Sequence, residues 1–126
     1  MNQKDFIFFD DEKKIIHDDC FLATLPVNLQ GPDDLLMALY ESLAFPGWFG
    51  FNWNALFDCL GDFSWVKQRE VFLIHNDLPH LSDDQMQVYL DVLFNSINNW
   101  KPDEEHELKV FFPMSAKTEI DRLFSR

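Results

Sequence analysis

Residues 45–62, FPGWFGFNWNALFDCLGD, hold the side chains best placed to act on a partner. Trp53, Leu56, Phe57 and Leu60 follow the i, i+3, i+4, i+7 spacing of a core-facing helical stripe, with Phe57 at its border. Asn54, Asp58, Gly61 and Asp62 fall on the opposite side. Asn52 stands just ahead, where its side-chain oxygen can take up an orphan backbone N–H as the helix N-cap. Asp58 is therefore expected to point outward from the middle of a short, anchored helix. A carboxylate so placed accepts charge-assisted hydrogen bonds, and a guanidinium matches it best. The preceding loop carries a dense set of aromatics beside Pro46, Gly47 and Gly50, which restrict or free the backbone. Phe49 and Trp53 are expected in the core, Trp48 and Phe51 at the surface.

Catalytic chemistry has weaker support. The carboxylate pairs Asp10-Asp11, Asp18-Asp19, Asp33-Asp34 and Asp83-Asp84 are adjacent in sequence, and adjacent side chains diverge on helices and strands, so none makes an acid–base dyad by itself. His17, His75, His80 and His106 show no metal-ligand spacing, and Cys20 and Cys59 form no C-x-x-C pair. Glycine-rich phosphate loops and the G-x-S-x-G nucleophile motif are absent. No cofactor or metal is expected. The formal charge of −12 opposes binding to nucleic acid or an anionic membrane and favours a basic protein partner, whose approach it would steer.

The run from Phe45 to Asp62 resembles the signature of the barstar family, small intracellular inhibitors of ribonucleases. The residues that carry the likeness are Phe45, Pro46, Trp48, Phe49, Gly50, Asn52, Trp53, Ala55, Leu56, Asp58, Cys59, Leu60 and Asp62. The resemblance implies an inhibitor and not an enzyme. It implies that the loop and helix plug the active site of a basic ribonuclease, with Asp58 standing in for a substrate phosphate. Partner-binding residues implied in this way are Trp48, Phe49, Gly50, Asn54, Phe57, Asp58 and Asp62. Three departures stand out. Asn54 and Phe57 replace an acidic residue and a tryptophan common in the family. The stretch Asn95-Ser96-Ile97-Asn98 lacks a carboxylate that the family uses late in the helix before the last strand. The alternative reading is an acidic interaction module that binds a different basic protein, and a metal-assisted hydrolase is the outsider.

The elements that must position this run alternate along the chain. Residues 6–9 and 15–16 flank a charged turn and suggest an N-terminal hairpin. Residues 21–25 read as the first strand of the main sheet, and Gly31-Pro32-Asp33-Asp34 as a helix start with Pro at N1 and acids at the positive end. Leu35, Leu36, Leu39, Tyr40 and Leu43 line that helix. Residues 71–75, VFLIH, are apolar throughout, as in a parallel strand covered on both faces. Ser82-Asp83-Asp84-Gln85 is a capping box opening a long helix with Met86, Tyr89, Leu90, Leu93 and Ile97 inward. Residues 108–112 form the last strand, stopped by Pro113, and Ser115 caps a final helix.

The expected fold is α/β: a small three-stranded parallel sheet packed with helices, plus the N-terminal hairpin and a C-terminal helix. Residues 1–126 read as a single barstar-like domain, with 1–19 as the hairpin extension. The start MNQKDF carries no apolar signal segment and no stretch suits a membrane span, so a cytoplasmic protein, monomeric when unbound and binding its partner one to one, is expected.

Overall fold

The computed structural model describes residues 3–15 and 18–124. In chain order its elements are β1 (Ile7–Phe9), a 3-10 turn (Glu12–Lys14), β2 (Cys20–Thr24), α1 (Gly31–Ser42), α2 (Trp53–Leu60), β3 (Glu70–Ile74), α3 (Asp83–Asn99), β4 (Glu107–Pro113), a 3-10 turn (Met114–Ala116) and α4 (Lys117–Leu123). Among the described residues one four-stranded sheet forms, in the order β1-β4-β3-β2, and every pairing is parallel.

This order explains the layering. From β2 to β3 to β4 the chain advances in one direction across the sheet, and right-handed crossovers in one direction place their helices on one face. Accordingly Ala23, Val71, Leu73, Leu108, Val110 and Phe112 share one cluster with the inward residues of the helices. The step from β1 to β2 runs back the other way, so the same handedness sends it over the opposite face. There Phe72, Ile74 and Phe111 form a second cluster with Phe9, Ile15 and Cys20. Val71, Phe72, Leu73 and Ile74 are all buried, as their unbroken apolar run requires.

The N-terminal hairpin is not formed. β1 is a parallel edge strand with Ile7 opposite Phe111, so the sheet has four strands and not three. The charged residues after it do not reverse the chain: Asp11 caps the 3-10 turn, its Oδ1 accepting from the Lys13 N–H at 3.0 Å, and Ile15 packs on the sheet. Ile16, the other half of the expected return strand, lies outside the described residues. The remaining differences are local. β2 starts one residue early, although the Leu25 N–H still donates to Ile74 O at 2.9 Å. Pro113 ends β4 from inside it, opposite Phe9. The cap of α4 is Ala116 and not Ser115, because a 3-10 turn feeds the helix. The capping box of α3 forms as expected, Gln85 N–H to Ser82 Oγ at 3.2 Å and Ser82 N–H to Gln85 Oε1 at 3.1 Å.

One buried polar group ties three elements together. His75, immediately after β3, has Nδ1 3.0 Å from Phe111 O and Nε2 2.7 Å from Tyr89 Oη, and its ring stacks on Phe112 at 4.0 Å. A carbonyl can only accept, so Nδ1 carries the hydrogen and Nε2 accepts from the tyrosine hydroxyl. Burial pushes the imidazole down to about 4 and the Tyr89 phenol up. In the unfolded chain His75 takes up a proton near its ordinary value of 6.5. Stability from this group is thus present above about pH 6.5 and lost as pH falls toward 4. Denaturant unfolding at pH 7 and pH 4.5 should show wild type losing about 2 kcal/mol that His75→Gln does not lose. Equal losses in the two proteins would show that His75 is not the titrating group.

Candidate functional site

The site is built between α1 and β3. α1 ends in a Schellman arrangement: the Phe45 N–H donates to Tyr40 O at 3.0 Å, and Ala44 sits at φ +54°. The Trp65 indole N–H donates to Leu43 O at 3.0 Å and fixes the exit of the helix. Pro46 then begins a tight turn closed by Phe49 N–H to Pro46 O at 3.0 Å. Its two ends are sunk in the core, with Phe45 and Phe49 buried and their rings 4.9 Å apart. The tip has nowhere to go but outward. Trp48 is 57 % exposed and stacks on no other ring among the described residues.

The loop is joined to α2 by one side chain. Asn52 Oδ1 accepts from the Ala55 N–H at 2.8 Å, and its Nδ2 donates to Gly50 O at 3.3 Å. Any Cβ on Gly50 would stand 3.3 Å from that Nδ2, so glycine keeps the cap amide in place. At the other end of α2 the Trp100 indole N–H donates to Leu60 O at 2.8 Å, while Trp53 packs against Tyr89 with ring centroids 6.0 Å apart. Leu56, Cys59 and Leu60 are fully buried, and burial raises the Cys59 thiol to about 11. Cys59 is packing, not a reactive group.

With three sides fixed, the fourth is presented to solvent. Asn54, Phe57, Asp58 and Gly61, at i, i+3, i+4 and i+7, are all exposed. The structure thus brings Asn54, Phe57 and Asp58 together, with Trp48 on the adjoining loop. Among the described residues the Asp58 carboxylate makes no hydrogen bond or ion pair. No Lys or Arg occurs between Lys14 and Lys67, a stretch that carries seven carboxylates. An uncommitted anion in a stretch without Lys or Arg is available to an incoming positive charge.

The other expected site residues have different placements. Phe49 is 4 % exposed and supports the loop from beneath. Gly50 shapes its return. Asp62 lies past the helix, half-buried, and accepts from the Ser64 N–H at 3.2 Å, so part of its capacity is already used. On α3, Asn95 is exposed, Ser96 is buried, and the Asn98 amide is taken up by the Lys4 backbone at 2.8 Å in both directions. Asp91, one turn earlier, is exposed. Phe51 was expected at the surface but not in the site, and with Trp48 and Phe57 it is the third exposed aromatic of this run. Among the described residues no three His, Cys, Asp or Glu side chains converge to hold a metal ion, and no helix is long and apolar enough to cross a membrane.

A family model described as Barstar (barnase inhibitor) matches residues 27–113. The chain belongs to the barstar family. The match takes in α1, the loop, α2, β3, α3 and β4, and leaves β1, β2 and α4 outside it. Membership of the barstar family implies an inhibitor of a barnase-like ribonuclease, and with it a protein partner of that kind. Barstar family proteins are inhibitors and not enzymes. No curated protein matches the chain.

The barstar-like helix depends on its cap. Asn52→Ala should cost about 1 kcal/mol of unfolding free energy, and Asn52→Asp much less, since aspartate keeps the accepting oxygen. Urea denaturation of the three proteins measures this; an alanine variant as stable as wild type would show that tertiary packing alone holds the helix start.

Proposed function

We propose that this protein inhibits a basic ribonuclease by docking its loop and helix, residues 45–62, into the enzyme's active site, with the Asp58 carboxylate taking the place of a substrate phosphate. The observation that carries this reading is Asp58 itself, exposed, without a partner among the described residues, and centred on a capped helix within a family of ribonuclease inhibitors. A phosphate site on a ribonuclease is lined by cations that are costly to desolvate unpaired. A carboxylate arriving with charge-assisted hydrogen bonds satisfies them.

Trp48 and Phe57 flank the anion as rings that keep little conformational freedom to lose, which suits them to exclude water from it. Asn54 adds neutral hydrogen-bonding capacity, Gly50 and Phe49 hold the loop shape, and Asp62 adds negative field at the helix end. The net charge of −12 speeds encounter with a basic enzyme. The complex is one to one, formed by a monomer in the cytoplasm of the cell that must be protected. The two cysteines, both thiols, fit that reducing setting.

A second reading, an acidic module for a basic protein that is not a ribonuclease, draws on Asn54 and on the absence of a carboxylate from residues 95–98. It places the same face on a different target. Titration calorimetry against a small basic microbial ribonuclease, with RNA-cleavage assays on the same mixtures, separates the two. Wild type should bind tightly and silence cleavage. Asp58→Ala should lose roughly 2–5 kcal/mol of binding, most strongly at low salt, while its stability changes by less than about 0.5 kcal/mol. A variant that loses stability and affinity together would give Asp58 a structural role. Tight binding without inhibition would favour the second reading.

A further inference from the structure

Two phenylalanines adopt left-handed backbone, Phe51 at φ +53° and Phe63 at φ +53°. That region is unfavourable for a bulky side chain by roughly 1–2 kcal/mol. For Phe63 the offset is plain: the ring is fully buried, stacked on Trp100 and edge-on to Trp65 and His106. Phe51 has a smaller return, its ring meeting Phe49 and Tyr40 on one side while the residue stays 41 % exposed. Glycine or asparagine would hold the same turn with less strain. A strained and exposed aromatic beside a binding surface points to function at its outer face.

What backs Phe51 shows the extent of that surface. Its ring lies 4.8 Å from Phe49 and 5.1 Å from Tyr40. Tyr40 is half-buried at the edge of the core face of α1, one turn after Met37, which is 46 % exposed. Met37, Tyr40 and Phe51 thus make an apolar ridge that leads to the N-terminus of α2. Asp58 follows about one and a half turns, roughly 8 Å, further along α2. Among the described residues the exposed large hydrophobics include three aromatics, Trp48, Phe51 and Phe57, and all three lie within residues 48–57.

We infer that Phe51, supported by Tyr40, is a specificity-determining contact, and that the ridge is a second lobe of the binding surface. Its occupant is an apolar shelf beside the cationic cleft of the ribonuclease; the inference rests on the inhibitor reading above. Charge complementarity selects that occupant. The ridge is flanked by Glu41 on α1 and Asp58 on α2, in a stretch without Lys or Arg. A basic protein therefore meets this ridge with its apolar surface framed by cations. The lobe also makes up for Asn54: with a single central carboxylate on α2, apolar burial carries a larger share of the affinity, and that share resists salt.

The test is titration calorimetry of wild type, Phe51→Asn, Phe51→Tyr and Asp58→Ala against a panel of small basic microbial ribonucleases that includes barnase, at low and high salt, with thermal melting of each protein. Asparagine tolerates the left-handed backbone, so Phe51→Asn should melt close to wild type and bind about tenfold or more weaker at both salts. Phe51→Tyr should restore binding, and the defect of Asp58→Ala should shrink at high salt. Binding by Phe51→Asn within about twofold of wild type would overturn the second lobe and leave the inhibitor reading standing. A matched loss of melting temperature and affinity would make Phe51 a core residue and overturn it equally. No binding of wild type to any enzyme of the panel would remove the inhibitor reading and the lobe together.

Discussion

Parallel strands cannot be joined by tight turns, and most of this molecule follows from that constraint. Each step to a neighbouring strand in the same direction has to climb over the sheet and return, and handedness decides on which face. Between β2 and β3 the chain spends two helices on a step that one could span. The surplus is the aromatic loop and α2, held on the helical side of the sheet by Tyr89 of α3 and by Trp100 at that helix's C-cap. The candidate site is therefore an elaborated crossover. Its rigidity comes from the elements it crosses between, and its freedom to vary comes from facing away from them.

Much of this was legible in the residues. The Asn52 cap, the Ser82–Gln85 box, the Pro32 helix start and the apolar run of β3 each express a local rule that tertiary structure did not override. The outward aim of Asp58 followed from helical period alone, and Phe49 in the core with Trp48 at the surface is the arrangement expected of the loop. The failures lie where local rules are silent. β1 is three residues long, and a short apolar run bounded by charges fits a hairpin as well as an edge strand. Only the pairing with β4, a hundred residues away in sequence, distinguishes them. Phe51 escaped for a related reason: nothing in the identity of a phenylalanine announces a left-handed backbone, and the propensities argue against it.

Charge is distributed as unevenly as structure. The basic residues cluster near the chain ends and around the β3 and β4 strand starts, where Lys4 and Arg69 both reach Glu107 and Lys109 reaches Glu70. Those partly exposed pairs add little to stability singly. They engage cations elsewhere in the chain, while the run that holds the loop and α2 carries carboxylates and no Lys or Arg. Fold and electrostatics thus act on the same surface, one by holding it still and the other by keeping it unscreened from within.

The edge strand β1 carries a temporal consequence. It leaves the ribosome about a hundred residues before β4, the strand it must lie against, since Ile7 pairs with Phe111. Until then its unpaired amides and the rings of Phe8 and Phe9 have no native place to go. The later strands and helices are far closer in sequence, and their loops close at smaller entropic cost. β1 is thus a latecomer to a sheet that the rest of the chain can begin without it, and its docking marks the point at which the second face of that sheet is closed.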